Sequence, residues 1–249
     1  MTSDFIWKEC QGFKVLQFKP WSDRGITHGF TDMGLNFRPA TYAESEARLK
    51  REFNLSAIVA PEQVHGTKAV DLRNSETLKT VLTKTVSKEA LIADSVIAPV
   101  TLPTANLAIA IQTADCVPLI VLSSNGYAVI HAGWRGLADE IIEAVLTKLG
   151  SSTLEVLIGP CAGGKRYEVG SEVIEAIGDS AHFKPGAAAG KFLLDGAKTA
   201  ENQILRISPS SKVHRADLCT ISSTNLHSYR RDGSVARGSS LCFVRIPTE

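Results

Sequence analysis

The sequence predicts a mixed fold in which strands and helices form a single domain, and three observations support this prediction. Three short apolar runs near the middle of the chain are rich in Val, Ile and Leu, and turn residues bound them. Such runs are typical of buried strands. An amphipathic helical pattern follows them, and strand-like and helical segments continue on both sides. We find no repeat, low-complexity segment or clear linker, so one domain is expected over residues 1–249.

The three apolar runs lie close together and lead into a motif of polar and small residues. They are Leu107–Ile111, Val117–Leu122 and Tyr127–Ile130. Ser124-Asn125-Gly126 separates the last two runs and predicts a hairpin, because Asn and Gly tolerate positive φ angles. His131-Ala132-Gly133-Trp134-Arg135-Gly136 then leads into one amphipathic helix. Its apolar positions share one helical face: Leu137, Ile141, Ile142, Val145, Leu146 and Leu149.

The N-terminal part of the chain predicts further strands and one clear helix. Strands or extended segments are expected at Phe13–Phe18, Ile26–Phe30, Leu55–Ala60 and Lys68–Leu72. Thr41–Phe53 predicts a helix, with Thr41 as N-cap and Glu44 completing a capping box. Pro20–Gly25 is rich in helix-breaking and turn residues and separates the first two strands. Asn74–Lys88 is polar, and either a helix or a loose connection fits it.

The C-terminal part alternates strands with helices. Strands are expected at Leu154–Ile158, Phe192–Leu194, Lys212–Arg215 and Leu241–Ile246, and helices at Val169–Ile177 and Ala197–Ile207. Ala181–Gly190 consists of small residues with Gly and Pro, which predicts a mobile surface loop. Ser228–Gly233 is a polar segment without a clear secondary-structure pattern.

Composition and charge narrow the range of partners and compartments. A hydrophobic fraction of 44% and a charged fraction of 21% are those of an ordinary globular protein. The formal net charge of +1 gives no electrostatic reason to expect nucleic acid or a membrane surface as partner. No apolar run is long enough to span a bilayer, and the first residues do not resemble a signal peptide. The cysteines at 10, 116, 161, 219 and 242 include no C-x-x-C pair, which fits a reducing cytoplasm.

Three residues beside predicted strands are candidate metal ligands: His65, Cys116 and His131. Their separations match no short zinc motif, but two histidines and one cysteine leave one position open, as catalytic zinc requires. Two alternatives remain. Cys116 is a nucleophile with His131 as its base, or Cys116 is a buried apolar residue and the histidines bond backbone groups.

Three further residues are candidates for catalysis or anion binding. Asp115 directly precedes Cys116, where it is a general base, a residue that orients a ligand histidine, or a turn residue. Arg135 stands at the predicted start of the central helix, where backbone N–H groups favour an anion. Arg230 is a second candidate anion contact. For both arginines the alternative is a solvated turn. Cys161, Cys219 and Cys242 are expected to be packing residues.

Taken together, these segments resemble the YfiH-type purine nucleoside phosphorylases, formerly described as multicopper polyphenol oxidoreductases or laccases. The matching segments are Glu62-Gln63-Val64-His65-Gly66, Ala93-Asp94, Thr113-Ala114-Asp115-Cys116-Val117-Pro118, His131-Ala132-Gly133-Trp134-Arg135-Gly136-Leu137, Ile158-Gly159-Pro160-Cys161, Tyr167-Glu168-Val169-Gly170, Cys219-Thr220 and Ser228-Tyr229-Arg230-Arg231-Asp232-Gly233. The segments around Cys116 and His131 are together highly specific. The loop at Thr31–Phe37, the pair Ser45-Glu46 and the segment Val235-Ala236-Arg237 depart from the family pattern.

The resemblance implies an α+β fold with mixed sheets sandwiched between helices in α/β/β/α layers. It also implies a Zn²⁺ site formed by His65, Cys116 and His131, with copper as the weaker alternative. The implied activity is phosphate-dependent cleavage of adenosine, inosine and methylthioadenosine, with adenosine deamination as a further activity. Asn36 and Gln63 lie in or near matching segments and are expected to contact substrate.

Two other functions remain open at this point. One is an amidase that edits peptidoglycan precursors, acting on a nucleotide-linked muramyl substrate with water. The other is a metal-stabilised binding protein without turnover. Activity with and without phosphate distinguishes these functions from the phosphorylase. Phosphorolysis requires phosphate, the amidase requires only water, and a binding protein shows no turnover. No feature of the sequence indicates an oligomeric state.

Overall fold

Two six-stranded sheets of mixed strand direction pack face to face at the centre of the molecule. The computed structural model describes residues 4–83, 91–102, 106–150, 153–236 and 238–247. The predicted α+β class is confirmed. That one domain extends over residues 1–249 stays a prediction. None of the helices in the described part of the chain combines the length and the apolar character needed to cross a membrane.

The strands and helices alternate irregularly along the chain. The strands are β1 (Phe5–Cys10), β2 (Phe13–Phe18), β3 (Thr27–Thr31), β4 (Ala57–Val59), β5 (Ala69–Asp71), β6 (Ser95–Ala98), β7 (Leu107–Thr113), β8 (Val117–Ser123), β9 (Gly126–Ala132), β10 (Glu155–Ile158), β11 (Glu168–Gly170), β12 (Phe183–Pro185), β13 (Lys191–Leu194), β14 (Lys212–Arg215) and β15 (Ser240–Arg245). The helices are α1 (Lys19–Asp23), α2 (Tyr42–Glu52), α3 (Ser75–Leu82), α4 (Trp134–Ala138), α5 (Ile141–Leu149), α6 (Ser171–Ile177), α7 (Gly196–Ile207) and α8 (Tyr229–Ala236).

Each large sheet combines antiparallel and parallel pairs. The first sheet has the order β1-β2-β3-β15-β7-β4, and its edge strand β4 runs parallel to β7. The second has the order β14-β10-β8-β9-β6-β5, and both edge strands run parallel to their neighbours. A small third sheet has the order β11-β13-β12. The hairpin β8–β9 lies in the middle of the second sheet.

Three buried clusters show the layer order. The core between the two large sheets is formed by side chains from both, such as Phe30 from the first and Val129 from the second. The outer face of the second sheet packs against α5 and α7, with Val145 and Ile204 in that core. The outer face of the first sheet packs against α2 through Leu49. The arrangement is therefore α/β/β/α, as expected.

The hairpin predicted at Ser124-Asn125-Gly126 is confirmed. It joins β8 to β9, and the Ser123 hydroxyl donates to the Gly126 carbonyl oxygen at 2.8 Å. Gly126 has a φ of 145°, and a Cβ there would lie 2.5 Å from the carbonyl oxygen of Ala98. Glycine is therefore required here both by the backbone conformation and by the close approach of β6.

The single helix expected after Gly136 is broken into α4 and α5, so this prediction is wrong in its continuity. The break falls at Glu140, which has a left-handed φ of 59°. The predicted apolar face is nevertheless buried along both helices. Gln203 of α7 donates to the Leu137 carbonyl oxygen at 2.8 Å, and Arg206 pairs with Glu140 at 2.8 Å. Contacts with a distant helix thus occupy polar groups at the break.

Local predictions near Thr41 and Asn74 have mixed outcomes. The helix α2 is found, but the capping box is wrong, because Thr41 makes no cap and its hydroxyl donates instead to the Asn36 carbonyl oxygen at 2.6 Å. The open choice after Asn74 is resolved as the helix α3, whose N–H groups at Glu76 and Thr77 donate to the Asn74 side chain. The rest of the predicted segment, residues 84–88, lies outside the described residues.

Four segments contain structure that the sequence did not indicate. The Pro20–Gly25 region forms the short helix α1 with the preceding Lys19, and Ala181–Gly190 contains the strand β12, which pairs with β13. The strand β11 occupies the start of the helix expected at Val169–Ile177. Ser228–Gly233 lies mostly in α8, which is kinked at Gly233. In addition, the edge strand β1 pairs with β2 along its whole length.

Gly126→Ala should destabilise the fold through a steric conflict in the hairpin. A methyl group would meet the Ala98 carbonyl oxygen, and overpacking of this kind costs about 1–3 kcal/mol. Gly190→Ala is the matched control, since φ is also positive at 73° but nothing lies within 4 Å of the added Cβ. Urea unfolding of both variants measures the difference. Equal losses in the two variants would show that the contact with Ala98 is unimportant.

Candidate metal centre

Two loops and the strand β9 bring His65, Cys116 and His131 together. The donor atoms of their side chains lie within 4.8 Å of one another, and the two imidazole rings are 4.9 Å apart between centroids. The structure therefore places the three predicted ligands at one point despite their separation in sequence. A single ion can contact all three side chains there.

The register of the second sheet explains how two of these residues meet. Along β9, Val129 faces the core between the sheets while Ile130 and Ala132 face the helices, so His131 projects from the inter-sheet face. His131 pairs with Pro118 of β8, and Cys116 lies just before the start of that strand. His65 approaches from the loop between β4 and β5.

Exposure differs strongly among the three candidate ligands. His131 is 3% exposed, Cys116 is half-buried and His65 is exposed. The cluster is therefore reached from the side of His65. Gly133 closes its inner side, and a Cβ at this position would lie 3.0 Å from the His65 ring and 3.1 Å from the Cys116 sulfur. Only glycine leaves the present spacing between these two side chains undisturbed.

A buried carboxylate, Asp94, joins the two histidines. One Asp94 oxygen lies 2.8 Å from Nδ1 of His131 and also accepts the backbone N–H of His65 at 2.9 Å. The other oxygen accepts the N–H groups of Gly66 at 2.7 Å and Val64 at 3.2 Å. Because Nδ1 of His131 donates to this carboxylate, its Nε2 is the nitrogen left for a metal.

The ionisable groups of the site shift one another's pKa values. Burial opposes ionisation of the Cys116 thiol, but the charge of His131 and hydrogen bonds from both histidines outweigh it and lower the Cys116 pKa. Burial also disfavours charge on His131, yet the negative charges of Cys116 and Asp94 raise its pKa. The Asp94 pKa is lowered despite burial, chiefly by the hydrogen bond with His131. Two negative groups thus flank His131.

Backbone strain is concentrated beside the cluster. His65 has a φ of 62° and Asp115 a φ of 97°, both in the region that non-glycine residues rarely occupy. Asp94 holds the strained turn at His65 through its three backbone hydrogen bonds. At Asp115, the carbonyl oxygen accepts the N–H of Ala162 at 2.9 Å. Such strain persists only where surrounding contacts determine the conformation.

Asp115 contacts the C-terminal segment rather than a ligand histidine. Its two carboxylate oxygens accept the Thr220 hydroxyl at 2.5 Å and the Arg230 backbone N–H at 2.6 Å. Among the described residues, the carboxylate that bonds the ring of a candidate ligand histidine is Asp94. The expectation that Asp115 has this orienting role is therefore corrected, whereas its role as an acid–base group stays a prediction.

The two predicted arginines stack on aromatic rings. The Arg135 guanidinium carbon lies 4.3 Å from the Trp134 ring centroid, and that of Arg230 lies 5.0 Å from the Tyr167 ring centroid. Arg230 also donates to the Glu168 carbonyl oxygen at 2.7 Å. Both arginines are exposed. Burial raises the pKa of Tyr167, on which Arg230 stacks, to about 12.

Gln63 and Asn36 use their side-chain amides to hold loops in place. Gln63 exchanges two hydrogen bonds with the backbone of Gln112, at 2.8 Å and 2.6 Å, and so fixes the loop that carries His65. The Asn36 side-chain oxygen accepts the Ser239 N–H at 3.2 Å, and the Ser239 hydroxyl bonds the Gln112 side chain at 2.9 Å. Contact of Gln63 and Asn36 with substrate stays a prediction.

Asp94, Thr220 and Tyr167 stand in segments that match the family, but the sequence assigned none of them a role in this site. Asp94 directly precedes β6, and an acidic residue at the start of a buried strand is the signal that marks it. Thr220 and Tyr167 lie in segments between elements, and their role depends on contacts with residues far away in the sequence. Arg237, the last residue of the segment Val235-Ala236-Arg237 that departs from the family pattern, lies outside the described residues.

Comparison with known proteins identifies the family. The model of the family described as multi-copper polyphenol oxidoreductase laccase matches residues 31–246. The chain belongs to this family. Members among its relatives are named as phosphorylases. The purine nucleoside phosphorylase PA4543 of Pseudomonas aeruginosa is 37% identical over 150 residues, covering 56% of this chain and 61% of that protein. The purine nucleoside phosphorylase YfiH of Escherichia coli is 31% identical over 144 residues, covering 54% and 58%.

A solved structure has the same fold as this chain. The crystal structure of YlmD from Geobacillus stearothermophilus matches with a TM-score of 0.79 at 22% identity, and covers 99% of this chain and all of that one. The resemblance to YfiH-type proteins is thereby confirmed. The aligned part spans about three fifths of the length of the two phosphorylases.

Asp94→Asn should weaken metal binding while the protein still folds. The amide lacks the charge and cannot accept all four hydrogen bonds, so the His65 loop and the His131 ring lose their common partner. Loss of such a partner weakens metal affinity about 10–100-fold. Competition with a chromophoric chelator measures the affinity, and circular dichroism reports the fold. Asp71→Asn, which removes a half-buried ion pair with Arg73, is the control. Unchanged metal affinity in Asp94→Asn would contradict this role.

Proposed function

We propose that this chain is a zinc-dependent purine nucleoside phosphorylase. Its substrates would be adenosine, inosine and methylthioadenosine, with adenosine deamination as an accompanying activity. The observation that carries the proposal is the convergence of His65, Cys116 and His131 on one point that solvent reaches. The names of two relatives within the family support the reaction class.

The donor set fits zinc better than copper. Two imidazoles and one thiolate are ligands that zinc accepts, and they leave one of four positions open for substrate. The family description names several coppers, yet within the described ranges only one group of three candidate ligands is found. Bound at this point, zinc would act as a Lewis acid towards a substrate oxygen. Copper remains the weaker alternative.

The reaction joins phosphate to the sugar and releases the base. An oxygen of dihydrogen phosphate forms a bond to C1′ of the ribose while the bond from C1′ to the purine nitrogen breaks. The bonding electrons leave with the purine, and the phosphate proton reaches it, so ribose 1-phosphate and the free base result. We assign Asp115 to this proton transfer as general base. Each of its oxygens accepts one hydrogen bond and keeps a second lone pair.

Electrostatic placement supplies the rest of the catalysis. The ribose develops positive charge at C1′, and we assign the Asp115 carboxylate, which the Thr220 hydroxyl and the Arg230 backbone N–H hold in place, to stabilise it. Preorganised charges of this kind stabilise a transition state without reorganising. Asp94 keeps His131 oriented.

Two guanidinium groups are assigned to the phosphate, Arg135 and Arg230. Each presents a planar set of N–H donors suited to an oxyanion, and stacking on Trp134 or Tyr167 limits its motion. The helix start expected to assist them is α4, which is only 5 residues long. The anion assignment therefore rests on the side chains rather than on a helix dipole.

An assay with and without phosphate tests the proposal directly. Purified protein with measured metal content is incubated with adenosine, inosine or methylthioadenosine, and ribose 1-phosphate, free base and ammonia are quantified. Phosphorolysis stops when phosphate is omitted. Ammonia release without phosphate indicates deamination alone, and hydrolysis of a nucleotide-linked muramyl substrate indicates the amidase. Metal binding without any turnover would identify a binding protein. A cytoplasmic location, and the absence of nucleic-acid and membrane partners, stay predictions.

Cys116→Ser should abolish zinc binding and turnover while leaving the fold intact. The residue lies at the rim of the second sheet, and the apolar strands on either side hold the core without it. Elemental analysis, turnover and the melting temperature are measured together. Cys242→Ser, in the core of the first sheet, is the control that should keep its zinc. Unchanged zinc stoichiometry in Cys116→Ser would instead favour the covalent nucleophile, whose adduct could then be trapped.

Arg135→Ala should raise the phosphate requirement more than the nucleoside requirement. Loss of one charge-assisted hydrogen bond corresponds to about tenfold or more in apparent phosphate affinity. Arg206→Ala is the control, because Arg206 pairs with Glu140 and Glu143 on the outer helices. Initial rates at varied phosphate and the melting temperature are compared. A lower melting temperature with unaltered phosphate dependence would limit Arg135 to packing on Trp134.

A further inference from the structure

A pair of cysteines lies on two segments that also contact Asp115, and the proposed reaction uses neither thiol. Cys161 and Cys219 face each other in an isolated parallel bridge. The N–H of Cys161 donates to the Leu218 carbonyl oxygen at 3.2 Å, and the N–H of Thr220 donates to the Cys161 carbonyl oxygen at 2.9 Å. These two bonds hold the backbones of the two cysteines at the spacing of paired strands, which is about 4.8 Å. Disulfides form between Cα atoms about 4.4–6.8 Å apart.

Both residues also border the same open space. They line a cavity of about 520 Å³, whose lining includes the exposed cations Lys165, Arg166 and Lys184. Cys219 is half-buried and Cys161 is 4% exposed. Because Cys219 is the more exposed of the two, a small oxidant reaches Cys219 first. Cys161 lies beside it in the core.

The surroundings of Cys219 favour its thiolate. The Gly163 N–H donates to its sulfur at 3.3 Å, and the Ser222 hydroxyl lies 3.6 Å from it. Partial burial raises the Cys219 pKa, but these hydrogen bonds and the backbone N–H groups of Ile221 and Ser222 outweigh burial and lower it. Cys161 differs, since burial raises its pKa and keeps it as the neutral thiol. A reactive thiolate next to a neutral resolving thiol is the arrangement of a redox-active cysteine pair.

We infer that Cys161 and Cys219 are a site of reversible oxidation and form an intrachain disulfide when a peroxide reaches the cavity. The Cys219 thiolate attacks one oxygen of hydrogen peroxide, the O–O bond breaks, and sulfenic acid and hydroxide form, the latter taking a proton to become water. The Cys161 sulfur then displaces the hydroxyl group from Cys219, and the Cys161 proton leaves with it as a second water. The two sulfurs together lose two electrons, and one peroxide accepts them. A thiol reductant reverses the change.

The position of the pair connects it with the candidate active site. Ala162, next to Cys161, donates its N–H to the Asp115 carbonyl oxygen at 2.9 Å. Thr220, next to Cys219, donates its hydroxyl to the Asp115 carboxylate at 2.5 Å. The disulfide would therefore join the two segments that hold Asp115, without using any of the three candidate metal ligands.

Counting thiols tests the inference. The reduced chain has five cysteines. Folded protein is treated with a small excess of hydrogen peroxide, then denatured, and its free thiols are titrated and alkylated for peptide mapping. The thiol count should fall from five to three, the peptides of Cys161 and Cys219 should be linked, and dithiothreitol should restore five.

Variants separate this pair from the metal centre. Cys161→Ser and Cys219→Ser should each lose the cross-link, whereas Cys242→Ser and Cys116→Ser should keep it, because neither removed thiol belongs to the pair. Retention in Cys116→Ser makes the outcome independent of the proposed function. A count that stays at five in the native sequence, or a cross-link between Cys219 and Cys116, would overturn the inference whether or not a serine variant folds.

Discussion

The candidate site depends on one buried carboxylate. Asp94 is fully inaccessible to solvent and accepts four hydrogen bonds, three from consecutive backbone N–H groups and one from the ring of His131. A buried charge is costly unless such partners compensate for it. Here these partners do compensate for it. The same contacts fix the loop that carries His65, which has no regular structure of its own, and the orientation of His131 on β9. The two histidines are therefore one unit.

The sheets supply the rigid frame to which this unit is attached. Asp94 precedes β6, which pairs with β9 in the register Ser95 to Ile130, and the N–H of His131 donates to the Asp94 carbonyl oxygen at 2.8 Å. Backbone pairing thus brings the carboxylate beside the imidazole before either side chain contributes. Loops at the rim then add Cys116 and His65. A precise site on mobile loops alone would require more supporting contacts.

Much of the fold was predictable because its strands carry local signals. The β8–β9 hairpin, the strands at Phe13–Phe18 and Lys212–Arg215, and the apolar face of α5 follow from patterns within a few residues. The break at Glu140 was not predictable, since contacts from Gln203 and Arg206 of α7 accompany it. The short strand β12 depends on its partner β13 in the same way. Features determined by distant partners leave no periodic trace in the sequence.

The site shows the same division. His65, Cys116 and His131 could be named from residue type and motif, because metal chemistry restricts the choice of side chains. Asp94 could not be separated from Asp115 by such criteria, as both are acidic residues at strand ends. What distinguishes them is the register of β6 against β9, which turns one carboxylate towards His131 and leaves the other to Thr220 and Arg230.

The difference in burial among the candidate ligands has a consequence for access. Asp94 fixes the His131 ring through Nδ1. A side chain at Gly133 would meet the His65 ring and the Cys116 sulfur. His65 alone is exposed, on a turn with a positive φ. A metal or a substrate can therefore approach past His65, on the turn that Asp94 holds. Stability of that turn and access to the centre are for this reason coupled through one carboxylate.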